Sequence, residues 1–258
     1  MTTLSDTGSL ESDPRRLGSG AVVYVQDLSS RELSDESYHH LFRVRRVRDG
    51  EHVVLGDGVG GLLPVVVRRV GGSKATERFE LEPLGEIFRA THPRLSVGVA
   101  SFLPSNDRLS FLVQKTVECG VDELYLIGDP KGTSRSGRDR SPDGGRIDRI
   151  VREACGQAKR AFLPTVRIFS SPELFLNEMG QRVALCGSDG DPPTLDRSLW
   201  LIGPESGIVD TPLASALPRV CLSTEVLRIE TASIVAGALL VALRSVLVVE
   251  KSRKSHKS

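Results

Sequence analysis

The feature that most constrains the fold is the spacing of apolar residues after Pro93, which alternates between a strand pattern and a helix pattern. Residues 95–102 and 121–127 are short apolar runs typical of buried strands. Between them, over 109–117, apolar residues recur at helical spacing, and a second amphipathic stretch follows over 146–162. Strands that alternate with helices pair in parallel, so we expect an α/β domain with helices on both faces of a parallel sheet.

The two predicted helices carry boundary signals of their own. Asn106 or Asp107 is the predicted N-cap of the first helix, and Gly120 lies where a terminating glycine is expected. The second helix is predicted to bury one apolar stripe against the sheet. Its members are Ile147, Ile150, Val151, Ala154 and Ala158.

The part of the chain before Pro93 has a different pattern. Three β-branched runs, over 21–25, 51–55 and 61–67, are separated by glycine-containing turns, which indicates a small, mostly β domain. A helix with Ser34 as N-cap is predicted over 34–46. The predicted organisation is a flexible tail over 1–19, a small domain over 20–90, an α/β domain over 91–250 and a basic tail over 251–258.

Composition excludes several classes of protein. The 258 residues are 39% hydrophobic with 25 glycines, which is typical of a folded globular chain. The apolar run TASIVAGALLVAL has 13 residues, whereas a membrane span needs roughly 20. The N-terminus has no apolar core typical of a secretory signal. The four cysteines are widely spaced without a C-x-x-C pair, so we expect no metal site, reduced thiols and a cytoplasmic location.

Basic residues are concentrated locally, although the whole chain has a net charge of only +1. Ten basic and four acidic residues lie between Lys131 and Arg167. A second cluster in the small domain consists of Arg43, Arg45, Arg46 and Arg48. Guanidinium groups bind phosphates through charge and forked hydrogen bonds, so the two clusters suggest a surface for nucleic acid. An ordinary solvated face is the alternative explanation.

The helix predicted over 146–162 also places polar groups together. Glu153, Gln157 and Arg160 have i, i+4, i+7 spacing and would share one helix face. Such a face has the chemistry to hold a polar base or a ribose. A surface ladder of ion pairs is the simpler alternative.

Two segments near the C-terminus contain charged residues that could bind a ligand. In Leu201-Ile202-Gly203-Pro204-Glu205-Ser206-Gly207, an apolar run ends in a glycine-proline turn with a carboxylate. Loops at the carboxyl ends of parallel strands bind ligands, although a plain turn explains the same residues. Further on, Arg228 and Glu230 precede an apolar helix, where an acid is also favourable on helix-dipole grounds.

These segments and four others carry a family resemblance. The six segments are QKTVECGV at 114–121, TSRS at 133–136, EACGQAKR at 153–160, IGPESG at 202–207, LRIETA at 227–232, and His39-His40-Leu41 with Val44, Arg45 and Gly50. In these segments the sequence resembles the bacterial 16S rRNA uracil-N3 methyltransferase family, whose members are S-adenosylmethionine enzymes of the SPOUT superfamily with a PUA-like N-terminal domain. The resemblance spans about residues 21–248.

The resemblance implies a fold and a set of site residues. The C-terminal domain should hold a parallel sheet whose last part forms a trefoil knot, and the N-terminal domain should be a PUA-like β-barrel that holds RNA. The implied catalytic residues are Arg228, Arg160, Glu205 and Glu230, and the sequence does not choose between the two carboxylates as base. The implied cofactor-binding residues are Leu185, Gly187, Ile202, Gly203, Pro204, Glu205, Gly207, Leu222, Ser223, Leu227, Glu230 and Thr231.

The same resemblance implies partners. The enzyme would act on ribosomal RNA or the small ribosomal subunit, as a homodimer with helix 231–248 at the interface, without a membrane or a metal. The predicted RNA-binding residues are Arg43, Arg45, Arg46, Lys115, Arg135, Arg138, Arg140, Glu153, Gln157 and Arg160.

The sequence departs from the family pattern at several positions. Ser206 and Ser223 stand where the family has glycine, Glu225 replaces an arginine and Ile229 replaces a threonine. These changes motivate two alternatives: a non-catalytic RNA-binding protein with the same fold, and a methyltransferase that acts on a different RNA position.

Overall fold

The chain forms two compact units. A computed structural model describes residues 13–14, 20–71, 78–128, 143–204 and 215–247, with the side chains of His40, Asn106 and Asp107 excepted. The first unit comprises the chain up to His92 together with Cys155–Leu163, and the second comprises Pro93–Ala154 and the chain from Pro164 onwards. Apart from residues 13 and 14, the two predicted tails lie outside the described residues.

The first unit is built on a five-stranded sheet. Its elements are β1 (Val22–Tyr24), α1 (Asp35–His39), a π-helical turn (His40–Val44), β2 (His52–Gly56), β3 (Gly61–Val70), β4 (Arg78–Pro83) and β5 (Phe88–Arg89). Strand β1 pairs in parallel with β2, and β3 pairs antiparallel with β2, β4 and β5. The three predicted strands are confirmed, and their alternate residues, such as Leu55 and Val65, share one core with Leu41 of the π-helical turn.

The helix predicted over 34–46 is present as α1 and the π-helical turn that continues it. Ser34 caps it as predicted, because its Oγ accepts a hydrogen bond from the backbone N–H of Ser37 at 3.2 Å.

The segment Cys155–Leu163 belongs to the first unit because backbone hydrogen bonds tie it there. Gly60 donates to the carbonyl of Ala161 at 3.0 Å, and Leu163 donates to the carbonyl of Gly58 at 2.9 Å. The Tyr24 hydroxyl donates to the carbonyl of Arg160 at 2.7 Å. This segment lies outside the range 20–90 predicted for the small domain, since pairing between distant parts of the chain leaves no local sequence signal.

The second unit is built on six parallel strands. Its elements are β6 (Gly98–Phe102), α2 (Asn106–Glu118), β7 (Glu123–Ile127), α3 (Gly144–Gln157), β8 (Thr165–Phe169), α4 (Pro172–Met179), a 3-10 turn (Gly180–Arg182), β9 (Val183–Gly187), β10 (Leu199–Ile202), β11 (Arg219–Cys221) and α5 (Ile229–Arg244). The strand order is β11-β9-β10-β6-β7-β8, which confirms the α/β prediction. The path between β10 and β11, through which the implied knot would run, includes residues 205–214, which lie outside the described residues.

The ends of two helices differ from the prediction. Helix α2 begins at Asn106, so Ser105 is its N-cap, and neither Asn106 nor Asp107 has that role. At the other end Gly120 has a φ of +98°, as a terminating glycine should.

Helix α3 ends at Gln157, five residues before the predicted end. Lys159 donates to the carbonyl of Gly156 at 3.1 Å, and Arg160 donates to the carbonyl of Cys155 at 3.0 Å. Together with a φ of +52° at Lys159, these two bonds form a Schellman motif, which stops the helix. The prediction was therefore wrong at two positions: Ala158 is exposed rather than buried, and Arg160 lies beyond the helix.

Candidate functional site

The carboxyl ends of three neighbouring strands meet at one edge of the parallel sheet. Ile202, the last residue of β10, pairs with Cys186 of β9. Cys221, the last residue of β11, pairs with Gly187 of β9. Beyond β11, Leu222 donates a backbone hydrogen bond to the carbonyl of Gly187 at 3.1 Å. The loops after β9, β10 and β11 therefore start side by side, as expected for a ligand site in a parallel sheet.

The predicted cofactor-binding residues lie along this edge. Leu185 and Ile202 are buried apolar side chains on the strands themselves. Gly187 at the end of β9 and the residues in the following loops are half-buried, which leaves part of their surface open to a ligand. This half-buried group consists of Gly187, Gly203, Pro204, Leu222, Ser223 and Leu227. Thr231 is exposed, and Glu205 and Gly207 lie outside the described residues.

The first turn of α5 starts at the same edge. Arg228 is its N-cap, with φ −68° and ψ 156°, and its carbonyl accepts a hydrogen bond from the N–H of Ala232 at 2.8 Å. The Arg228 side chain is exposed and makes no capping hydrogen bond. Buried Ser233, one turn further on, donates to Ser101 of β6 at 3.1 Å. This buried pair fixes the start of α5 against the sheet, because an unmatched hydroxyl in the core is unfavourable.

Glu230 is the most informative side chain of this turn. Only 12% of its side chain is exposed, and Oε1 lies 3.8 Å from Nε of Arg108 in α2. Its Oε2 is buried and has no hydrogen-bond partner among the described residues. A buried carboxylate oxygen without a partner is unfavourable by about 1–3 kcal/mol, so this oxygen is placed to accept a hydrogen bond from a ligand.

Arg108 is a residue that sequence analysis missed. It lies in the first turn of the helix after β6, and only the packing of α2 against α5 brings it near Glu230. No local sequence signal distinguishes it from any other arginine on a helix surface.

The side chains at this edge fit S-adenosylmethionine, the cofactor that the resemblance implies. Leu185 and Ile202 are buried and lie on opposite faces of the sheet, because Leu185 pairs with Leu201, the neighbour of Ile202, so they support this edge from within the core. Gly187 and Gly203 have no side chains to block a close backbone approach. The Glu230 oxygen without a partner among the described residues is an acceptor suited to a hydroxyl or an ammonium group.

Ser223 adopts its backbone conformation without left-handed strain. It is not one of the described residues that have a positive φ. Its Oγ accepts a hydrogen bond from the backbone N–H of Glu225 at 3.0 Å, which closes a local turn. The serine therefore fits this loop where the family has glycine. Ser206 lies outside the described residues.

The predicted RNA-binding residues are distributed over both units. Arg43 and Arg46 are exposed and Arg45 is half-buried in the first unit, which also contains Arg160. Glu153 and Gln157 are exposed near the end of α3, but they do not share a helix face with Arg160, because α3 ends before it. In the second unit, Lys115 forms an ion pair with Glu118 at 2.7 Å. Arg135, Arg138 and Arg140 lie outside the described residues.

Two other kinds of site find no support in the described ranges. No group of three or more His, Cys, Asp or Glu residues is placed there to hold a metal ion. Burial raises the pKa of the Cys186 thiol, so this thiol at the sheet edge stays protonated and is a poor nucleophile.

No helix in the described part of the chain is both long enough and apolar enough to cross a membrane.

Comparison with known proteins agrees with this geometry. The chain is 28% identical over 245 residues to a protein named ribosomal RNA small subunit methyltransferase E from Mycobacterium bovis, covering 84% of this chain and 85% of the relative. It is structurally similar to a methyltransferase from Legionella pneumophila in complex with S-adenosylmethionine (TM-score 0.69, 23% identity, 86% of this chain and 97% of the other). A ribosomal RNA small subunit methyltransferase E from Neisseria gonorrhoeae bound to S-adenosylmethionine is equally similar (TM-score 0.68, 22% identity, 87% and 98%).

These solved structures establish the fold. Residues 33–76 match the PUA domain family of RNA methyltransferases. Residues 91–241, more than half of the chain, match the RNA methyltransferase domain family. The protein is therefore a member of the RNA methyltransferase family, with a PUA domain before its methyltransferase domain.

Proposed function

We propose that this protein transfers a methyl group from S-adenosylmethionine to N3 of a uridine in the 16S rRNA of the small ribosomal subunit. The observation that carries the proposal is the sheet edge where the ends of β9, β10 and β11 meet the first turn of α5, with a Glu230 oxygen that no described residue hydrogen-bonds. The family match and the relatives named as small-subunit rRNA methyltransferases support the choice of substrate.

The cofactor is held by the loops at this edge. S-adenosylmethionine supplies an electrophilic methyl group on a sulfonium. The chain contributes Glu230 as the acceptor for a donor group of the cofactor, and Gly187 and Gly203 allow the backbone to approach the cofactor closely. The proposed cofactor-binding residues are Leu185, Gly187, Ile202, Gly203, Pro204, Glu205, Gly207, Leu222, Ser223, Leu227, Glu230 and Thr231.

The acceptor uridine must lose the proton on N3, and negative charge then develops on the uracil ring. We assign Arg228 to this charge, because its exposed guanidinium stands at the start of α5 without a capping bond. With Glu230 assigned to the cofactor, Glu205 is the remaining carboxylate of the predicted site, and we assign it the N3 proton.

The first unit holds the RNA in this proposal. Its basic side chains attract phosphate groups, and the PUA family match supports an RNA-binding role. We retain Arg160 as an RNA contact rather than a catalytic residue. The remaining proposed contacts are Arg43, Arg45, Arg46, Lys115, Arg135, Arg138, Arg140, Glu153 and Gln157.

The proposal also covers domain organisation and assembly. Residues 20–90 together with Cys155–Leu163 form the RNA-binding domain, and the rest of 91–250 forms the methyltransferase domain. The protein is a cytoplasmic homodimer with helix α5 at its interface.

Calorimetric titration with S-adenosylmethionine tests the cofactor site. We expect micromolar affinity for the wild type and a loss of about 10–100-fold in Glu230→Gln, because a hydrogen bond to a charged group is worth about 1.5–3 kcal/mol. Glu225→Gln is the matched control: it removes an exposed carboxylate from the loop just before α5 and should leave the affinity unchanged.

The same titration separates the proposal from a non-catalytic RNA-binding protein. No binding by the folded wild type, either alone or with 16S rRNA added, would overturn the proposed function. Equal affinities of Glu230→Gln and the wild type would overturn the assignment of Glu230.

A further inference from the structure

Four described residues other than glycine have a positive φ. They are Arg31 at +56°, Arg46 at +55°, Lys159 at +52° and Val246 at +55°. Three of the four are basic, and these three all belong to the first unit. The fourth lies just after α5, in the second unit.

Basic residues are not expected at such positions. The left-handed conformation brings Cβ close to the following carbonyl oxygen, so glycine is favoured and asparagine or aspartate is tolerated best among the others. Lys and Arg make up only 34 of the 258 residues, so composition alone would not place them at all three positions of one unit. Strained backbone that persists in a structure is often associated with function.

Lys159 illustrates how firmly one of these positions is fixed. Its N–H and that of Arg160 close the Schellman motif at the end of α3, where glycine is the usual residue. On one side the carbonyl of Arg160 is held by the Tyr24 hydroxyl at 2.7 Å. On the other side Gly156 packs against the carbonyl of Val22. The turn therefore presents the Lys159 side chain from a fixed backbone.

Arg31 is fixed by a different turn. The carboxylate of Asp27 accepts hydrogen bonds from the N–H groups of Ser29 at 2.8 Å and Ser30 at 3.2 Å. The carbonyl of Asp27 accepts one from the N–H of Arg31 at 3.1 Å. The Arg31 guanidinium donates to the carbonyl of Ser29 at 2.9 Å through one nitrogen. A guanidinium has five N–H donors, so this one bond does not use up its capacity to bind a ligand.

Arg46 follows the π-helical turn, and its side chain is exposed. It is among the RNA contacts predicted from the sequence, whereas Arg31 and Lys159 are not. The backbone conformation is what connects the three residues.

We propose that Arg31, Arg46 and Lys159 are phosphate-binding residues for RNA, retained for their charge at positions where glycine would relieve backbone strain. This inference rests on the proposed function for the identity of the ligand. Each residue would neutralise one phosphate, so each should contribute one increment to the salt dependence of RNA binding.

The test replaces each residue in turn by glycine and by glutamine. Glycine removes both the charge and the strain, so the melting temperature should rise by about 2 °C while the affinity for 16S rRNA transcript falls about fourfold at roughly 0.15 M salt. The slope of log affinity against log salt should become shallower by about 0.7. Glutamine keeps the strain and removes the charge, so it should lower affinity equally without raising the melting temperature.

Val246→Gly is the matched control. Val246 ends α5 with the same pair of hydrogen bonds as Lys159 ends α3, from Val246 to Leu243 and from Leu247 to Ala242. It should raise the melting temperature and leave RNA affinity unchanged.

Two results would overturn the inference. One is a glycine series that raises the melting temperature with RNA affinity and salt slope at wild-type values. The other is a glutamine series with wild-type affinity. If the wild type itself has no affinity for 16S rRNA, both this inference and the proposed function are overturned. Failure of the inference alone, with wild-type RNA binding intact, is therefore distinguishable from failure of the proposed function.

Discussion

Arg228 stands at the start of α5 with an exposed guanidinium, and its backbone rather than its side chain caps the helix. Arg228→Ala should therefore fold like the wild type and bind S-adenosylmethionine equally well. If Arg228 stabilises charge on the uracil, the rate of methyl transfer should fall about 10²–10³-fold. Single-turnover methylation of 16S rRNA with saturating cofactor measures this rate. A wild-type rate in Arg228→Ala would refute the assignment.

Gly156 lies where α3 passes the backbone of β1. A Cβ at this position would be 2.5 Å from the carbonyl oxygen of Val22, which is backbone and cannot move independently. Gly156→Ala should destabilise the protein by about 1–3 kcal/mol, as overpacking usually does. Gly144→Ala, at the exposed start of the same helix with no atom within 4 Å, should be neutral or slightly stabilising. Thermal unfolding of the two variants tests this, and equal melting temperatures would contradict it.

At the residue scale, sequence analysis placed some side chains of the site but not all. Arg228, Glu230 and the glycine-containing loops were predicted because each is part of a local motif. Arg108 was not, because its approach to Glu230 depends on two helices that start far apart in the chain. The strained Lys159 was not predicted either, since local hydrogen bonds decide where α3 stops.

At the element scale, the edge of the parallel sheet opposite the candidate site is held by a half-buried polar network. The carboxylate of Glu123, at the start of β7, accepts two hydrogen bonds from Arg182 at 3.0 and 3.1 Å. It also accepts hydrogen bonds from Ser96 at 2.5 Å and Tyr125 at 2.8 Å. These four bonds use all the acceptor sites of the Glu123 carboxylate, and its charge is paired with that of Arg182. The network thereby joins the starts of β6, β7 and β9.

The network shifts the pKa values of two of its members. Burial of the Glu123 carboxyl opposes ionisation, but the hydrogen bonds from Arg182, Ser96 and Tyr125 outweigh it and hold its pKa below the usual range. Burial and the bond to Glu123 raise the pKa of Tyr125 to about 12.

Glu123→Gln should reduce stability by about 2 kcal/mol at pH 7, because it leaves Arg182 without its charged partner. The pKa of Glu123 is lower in the folded protein, so its contribution is complete above the ordinary carboxyl pKa of 4.5 and is lost as pH falls through the lower, folded value. The difference between variant and wild type should therefore shrink at acidic pH. Urea unfolding at several pH values measures it, and a difference independent of pH would contradict the role of this ion pair.

The order of the helices and strands was largely predictable, whereas their ends were not. Apolar spacing sets where α2 and α3 lie, because each must bury one face. Their ends depend on individual hydrogen bonds, such as those that stop α3 at Gln157, five residues earlier than the apolar pattern indicates.

At the scale of the whole molecule, the sequence pattern changes near Pro93, and the chain forms two compact units. The return of Cys155–Leu163 to the first unit was not predictable. It depends on pairing with Tyr24 and the turn at Gly58 to Gly60, more than 90 residues away along the chain. The same limit applies to the candidate cofactor site, whose loops were found as motifs but brought together only by the strand order.

The nucleoside product tests the central claim most directly. The small-subunit rRNA should be incubated with the protein and S-adenosylmethionine, digested to nucleosides and compared with a 3-methyluridine standard by mass spectrometry. The account predicts 3-methyluridine, formed by the wild type and strongly reduced in Arg228→Ala. A different methylated nucleoside, or none from a protein that binds the cofactor and RNA, would contradict it.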